Sequence, residues 1–182
     1  GATNYYQPIP AEYLNKKYGG NLGNSENIWA FVEGSEKPEE IVVVSAHYDH
    51  VGTKDGEVYN GADDDGSGTS ALLELAQAFE IAKKEGHGPK RSILFLHVTG
   101  EEHGLHGSRF YSENPLFPLA NTVADINIDM IGRRDEIHPN TNNYVYLIGA
   151  NRLSSALDSI CTAVNQKYIN LDLDYRFNDP KD

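Results

Sequence analysis

The chain has 182 residues, 39% of them hydrophobic and 23% charged, the proportions of an ordinary globular protein with room for one domain and a core of its own. A net charge of −12 argues against nucleic acid and anionic membrane as partners, since both repel an acidic surface. The single cysteine, Cys161, excludes an internal disulfide and a thiolate zinc cluster, and no run of about 18 apolar residues is present to span a bilayer.

No signal peptide is present, and the opening Gly1-Ala2 reads as a processed or artificially cut end that leaves room for a removed export signal; an extracytoplasmic setting, periplasmic or secreted, is the expectation. Residues 1–27 are rich in Tyr, Asn and Gly, and Pro8 and Pro10 limit regular structure. They are expected to form an irregular N-terminal cover over a sheet edge, with a short helix near residues 11–18. Residues 27–33 have strand composition. The charged turn that follows is too short for a parallel crossover, so a hairpin with the next strand is expected. That next strand, residues 41–46, is a near-continuous apolar run, the signature of a strand covered on both faces. It ends in His47-Tyr48-Asp49-His50.

Residues 51–59 read as a polar loop. Asn60-Gly61-Ala62-Asp63-Asp64-Asp65-Gly66-Ser67-Gly68 then places three carboxylates in a glycine-flanked loop, where backbone can approach closely. A helix starts at Ser67, with Leu72, Leu75, Ala76, Phe79 and Ala82 on one face, Lys83-Lys84 in its last turn and Gly86 as its stop. Residues 92–98 form a second buried strand, which makes a right-handed strand–helix–strand unit the expectation. It runs into Thr99-Gly100-Glu101-Glu102-His103-Gly104. Adjacent carboxylates raise each other's pKa unless a cation offsets them; the competing reading is a solvated acidic turn favoured by a helix dipole. A short helix over residues 105–112 ends at Asn114-Pro115, and a third strand, residues 123–128, ends in Asp129-Met130. Residues 131–135 read as loop and residues 143–148 as a strand. Leu153, Ala156, Leu157, Ile160, Cys161 and Val164 mark an amphipathic helix in which Cys161 is a core thiol, and residues 171–175 alternate as a strand. No linker divides the chain, so residues 1–182 are expected to be a single domain.

Three predicted strands thus each end in a residue type that ligates metals. In an open α/β sheet, ligands bind at the carboxyl ends of the strands. The expected fold is α/β, a three-layer arrangement with a mixed, mainly parallel central sheet flanked by helices.

Four motifs in this order carry a resemblance: His47-Tyr48-Asp49, Gly61 to Gly68, Gly100-Glu101-Glu102 with Gly104 and Gly107-Ser108, and Asn127-Ile128-Asp129-Met130. They resemble the co-catalytic zinc aminopeptidases of the bacterial leucyl aminopeptidase type, relatives of glutamate carboxypeptidases and glutaminyl cyclases. The resemblance implies an exopeptidase acting on peptide substrates with two zinc ions. It implies that His47 and Asp129 ligate the first zinc, that Asp64 bridges both, and that Glu102 ligates the second. It implies Glu101 as general base and Asp49 as the carboxylate that orients the histidine ring. Two metals about 3.5–4 Å apart polarise a carbonyl and activate water, so no serine or cysteine nucleophile is needed. The alternatives are a single-zinc aminoacyltransferase of the cyclase kind and a non-catalytic relic.

Other polar residues have plainer readings. Asp63 and Asp65 shape the loop and cap the helix; His97 is a hydrogen-bonded core residue; His103 and His106, just past Glu101, either touch substrate or, the favoured reading, are polar residues of a helix surface; His87 is solvated. His50 lines either the cleft or only its loop. Arg133 and Arg134 belong to a solvated loop that could meet a substrate carboxylate. The related enzymes take a last zinc-ligating histidine from a Ser-Asp-His-like segment late in the domain, and this sequence, ending at Asp179-Pro180-Lys181-Asp182, has none. The reading is therefore of a domain incomplete at its C-terminus. Its second zinc site would lack an imidazole, with His138 as the remote substitute, and its sheet edge would be exposed and open to homo-association.

Overall fold

The structure is a computed structural model that describes residues 5–178. Gly1-Ala2 and the terminal Asp179-Pro180-Lys181-Asp182 lie outside the described residues. The chain divides into two compact units, with the boundary between Gly132 and Arg133.

The first unit holds strands β1 (Tyr6–Ile9), β2 (Ser25–Val32), β3 (Lys37–His47), β4 (Gly52–Lys54), β5 (Glu57–Tyr59), β6 (Arg91–Val98) and β7 (Thr122–Asn127). Its helices are α1 (Ala11–Tyr18), α2 (Gly66–Lys84) and α3 (His106–Glu113). The central sheet has the order β1-β2-β6-β3-β7. Strands β3, β6 and β7 are parallel, while β1 and β2 are antiparallel additions at one side.

Side-chain alternation explains why β3 and β6 read as unbroken apolar runs. Val44, Ala46, Ile93 and Phe95 face Leu72 of α2. Their neighbours Ile41, Val43, Leu94, Leu96 and Val98 face the other way, toward Tyr111 of α3. Both faces are dry along residues 41–44 and 93–96, so those positions favour apolar residues. Truncating the fully buried Leu72 to Ala would cost about 2–5 kcal/mol.

Three local expectations are corrected. Residues 6–9 are a strand, not irregular cover. It sits at the sheet edge, the place where a sheet tolerates Pro8; the helix at residues 11–18 forms as expected. Strands β2 and β3 do not form a hairpin: β6 lies between them and pairs with both. The turn after β2 instead crosses the start of β6. Ser35 N–H donates to the Pro89 carbonyl at 2.9 Å and Lys37 N–H to the Lys90 carbonyl at 2.8 Å. Gly34 makes the crossing feasible, because a Cβ there would lie 2.4 Å from the Arg91 carbonyl carbon. The polar loop at residues 51–59 contains a small hairpin, β4–β5, turned by Asp55 and Gly56, both at positive φ.

The second unit holds β8 (Tyr144–Tyr146), α4 (Ala150–Leu153), α5 (Ser155–Tyr168) and β9 (Asp172–Asp174). The two strands pair in parallel as a separate sheet, with α4 and α5 as the crossover. The predicted helix stripe is present, but it is not buried here: Ile160 is 57% exposed and Val164 47%. Cys161 is half-buried, and burial pushes its thiol pKa up, which keeps it protonated. Among the described residues no helix is long and apolar enough to cross a membrane.

Candidate metal centre

Parallel pairing brings three strand ends to one edge of the sheet. His47 is the last residue of β3, Glu101 and Glu102 follow β6, and Asp129 follows β7. Asp64 comes from the loop that enters α2. The Thr69 hydroxyl, one turn into that helix, donates to the His47 carbonyl at 2.7 Å and ties the helix start to the strand end.

His47 is buried. Its Nδ1 lies 3.0 Å from the main-chain carbonyl of Asp49, and its Nε2 lies 3.1 Å from Asp64 Oδ1 and 3.9 Å from Asp129 Oδ1. With the proton on Nδ1, a neutral ring presents a lone pair at Nε2 to two carboxylates. A cation among these atoms, whether a metal ion or the ring's own second proton, offsets that charge. Burial lowers the His47 pKa, but the Asp49 carbonyl and the charges of Asp129, Asp65 and Asp49 outweigh it, and the net shift is upward.

A second group shares Asp64. His50 Nδ1 lies 2.7 Å from Glu102 Oε1 and 4.0 Å from Asp64 Oδ2. In each group, His47 with Asp64 and Asp129, and His50 with Asp64 and Glu102, the donor atoms lie within 4.8 Å of one another. One imidazole and two carboxylates in each is a donor set suited to zinc. Two buried atoms of the second group, His50 Nδ1 and Glu102 Oε1, make no hydrogen bond. The sequence reading gave this second group carboxylates alone; the structure also places the His50 ring beside them.

The flanking aspartates do other work. Asp65 caps α2, its Oδ1 accepting the N–H of Gly68 at 2.9 Å and of Met130 at 3.3 Å. Burial first, and then the charge of Asp129, push its carboxyl up to about 6. Asp63 Oδ1 accepts the N–H of Gly132 at 2.6 Å and the Ser67 hydroxyl at 3.1 Å. Together they fasten the α2 loop to the segment after β7 and leave Asp64 between the two groups.

Glu101 belongs to neither group. Burial lifts its carboxyl pKa; His47 pulls it down, while Glu102, Asp129 and Asp49 push it further up. The Asp49 carboxylate points at the turn after β6, accepting the N–H of Glu101 at 3.0 Å and of Glu102 at 3.4 Å. Its Oδ1 is 3.7 Å from His47 Nδ1, so the carbonyl rather than the carboxylate of Asp49 orients that ring.

The remaining candidates separate cleanly. His106 is a correction: it is buried, stacked on Tyr18 at 3.9 Å between ring centroids, rather than on a helix surface. His97 is buried in β6 as expected, and burial lowers its pKa, but its Nδ1 has no hydrogen-bond partner among the described residues, against the expectation of a hydrogen-bonded ring. His87 and His103 are exposed. His138 is engaged within the second unit: its Nδ1 lies 3.3 Å from Asp135, its Nε2 3.2 Å from Asp174, and its ring stacks on Tyr144.

A mixed sheet flanked by helices, with paired imidazole–carboxylate groups at the parallel strand ends, defines a class of site able to hold metal ions. The chain belongs to peptidase family M28, whose sequence model matches residues 27–179. It is 35% identical over 107 residues to a vacuolar membrane protease of Paracoccidioides lutzii, covering 59% of this chain and 10% of that protein. It is 37% identical over 112 residues to a probable zinc metalloprotease of Pyrenophora tritici-repentis, covering 58% of this chain and 22% of that one. Among solved structures, BSAP, a zinc aminopeptidase from Bacillus subtilis, superposes with a TM-score of 0.61 at 28% identity, over 83% of this chain and 34% of that one. In each case this chain spans about a third of the other's length or less.

Proposed function

We propose that this chain carries the metal centre of a zinc-dependent aminopeptidase that releases N-terminal residues from peptides. The observation that supports this most directly is the sharing of Asp64 between two donor groups, with Glu101 next in the chain to Glu102 and in neither group. His47, Asp64 and Asp129 would hold one zinc, and Asp64 with Glu102 the other. When bound, the metals supply Lewis-acid polarisation of the scissile carbonyl and activation of water. The rest falls to the chain's own residues. Glu101 takes a proton from the attacking water on its carboxylate and passes it to the leaving amine nitrogen. Asp49 holds Glu101 and Glu102 in place through their main-chain amides. An extracytoplasmic setting belongs to the same reading; among the relatives is a protease named for the vacuolar membrane.

The test is hydrolysis of aminoacyl amides and of N-terminally blocked controls by the protein carrying this chain, with and without chelator. Turnover of the free-amine substrates that chelator abolishes and zinc restores is expected. Chelator-insensitive turnover, or equal cleavage of the blocked controls, would overturn the reading.

A further inference from the structure

We infer that Asn27, on β2, is a positioning residue for Glu101: its carboxamide holds together the ends of the loop on which that carboxyl stands. The inference rests on the general-base reading above and deepens it. Asn27 is 0% exposed, in a place where a strand residue is ordinarily apolar. A buried amide is costly unless its donors and its acceptor are satisfied. Here they are. Asn27 Nδ2 donates to the Gly107 carbonyl at 2.9 Å and to Gln7 Oε1 at 2.8 Å, and Oδ1 accepts the Thr99 N–H at 3.2 Å. Thr99 follows β6 and Gly107 lies in the first turn of α3, so this side chain grips residues 99–107 at both ends. The ends also bond to each other, with the Gly107 N–H donating to the Thr99 carbonyl at 2.7 Å. No spare room is left between them: a Cβ at Gly107 would lie 2.2 Å from Asn27 Oδ1 and 2.5 Å from the Thr99 nitrogen. The loop itself is tied and filled. The Glu101 carbonyl accepts the N–H of Gly104 at 2.9 Å and of Leu105 at 3.1 Å, and the Gly100 carbonyl accepts the His106 N–H at 2.9 Å. The buried His106 packs under Gly100, where a Cβ would lie 2.9 Å from the histidine Cβ. A loop bonded in this way moves as one piece when its ends shift, and it carries Glu101 with it. Asp49 holds the Glu101 amide from the β3 side; Asn27 holds the base of the same loop from β2. The partners of Asn27, namely Gly107, Gln7 and Thr99, belong to neither donor group, so its effect on chemistry runs through the loop.

Steady-state kinetics on aminoacyl amides, with zinc in excess and the protein carrying this chain, test this at a temperature where circular dichroism shows every variant folded. Asn27→Ala should lower kcat at least about 10-fold with KM kept within about 2-fold, because a misplaced base weakens the transition state and not substrate binding. Gly107→Ala, which forces the same ends apart from the other side, should show the same split. Gly34→Ala, at the start of β6 rather than its end, is the control: it destabilises the first unit without touching the loop and should keep the wild-type kcat. Should Asn27→Ala fail to fold, Asn27→Asp, which keeps the size of the side chain and an acceptor for the Thr99 N–H, is read in the same way. Wild-type kcat in the folded Asn27 variant, a loss confined to KM, or an equal loss in Gly34→Ala overturns the assignment of Asn27. Glu101→Gln separates this from the reading beneath it. If that variant turns over like the wild type, the general-base reading itself fails; if it is impaired while the Asn27 variant is not, only the Asn27 inference falls.

Discussion

The Asp49 carboxylate accepts the main-chain N–H of Glu101 at 3.0 Å, so a residue just past β3 sets the turn just past β6. A second, longer bond reaches Glu102 at 3.4 Å. Removing the carboxylate leaves both amides without their acceptor and lets both glutamates drift. Asp49→Ala should cost about 10–100-fold in metal affinity or turnover, the usual penalty for losing a residue that positions ligands. Asp49→Asn, which keeps one acceptor oxygen, should fall between. Metal content and kcat measured side by side on both variants check this; an unimpaired Asp49→Ala would remove the positioning role.

The two glutamates should separate by readout. Glu101→Gln should retain metal and lose roughly 10²–10⁴-fold in turnover, the contribution of a general base. Glu102→Gln should lose metal at the second position. Zinc content after dialysis, set against kcat, distinguishes them. If Glu101→Gln strips the metal and Glu102→Gln does not, the roles are exchanged.

Gly34 should be intolerant of a side chain. A Cβ there meets the Arg91 backbone at 2.4 Å, and the backbone cannot step aside without disturbing the β2–β6–β3 crossing. Gly34→Ala should destabilise the first unit by about 1–3 kcal/mol, as overpacking does. Gly23→Ala is the control, because a Cβ there has nothing within 4 Å. Thermal melts of the two variants should differ clearly, and equal melting temperatures would contradict the crossing.

Asp135 should give the second unit an acid-sensitive step. The Tyr146 hydroxyl donates to its carboxylate, the main-chain N–H groups of Ile137 and His138 donate as well, and its pKa is held at about 2. The folded pKa lies below the unfolded one. The carboxylate's contribution is therefore fully present above about pH 4 and is lost as pH falls toward 2. Asp135→Asn should flatten stability over that window. Melts between pH 2 and 5, read in the near-UV where Tyr144 and Tyr146 report, would show it; parallel curves for variant and wild type would refute it.

How much of this was legible in the sequence depends on where the information lies. The ends of β3, β6 and β7 were legible, because each apolar run stops at a residue whose chemistry is out of place unless a ligand is near. The caps made by Asp65 and the ties made by Asp63 were legible too, from an aspartate run before an amphipathic helix. Sheet order was not: a short turn after β2 implies a hairpin, and only tertiary pairing reveals β6 inserted between β2 and β3. Strand β1 was hidden by Pro8. His50 was in plain view beside Asp49, but its partner Glu102 is 52 residues away in the chain, and no spacing pattern connects the two. The stripe of α5 was read correctly as a pattern, yet Ile160 and Val164 are exposed among the described residues.

The measurement that bears most directly on the central claim is anomalous diffraction at the zinc edge from crystals of this chain grown with zinc. The account predicts two peaks beside the ends of β3, β6 and β7, with Asp64 between them, His47 and Asp129 on one, and Glu102 on the other. A single peak away from Asp64, or zinc held by residues outside these two groups, would contradict it.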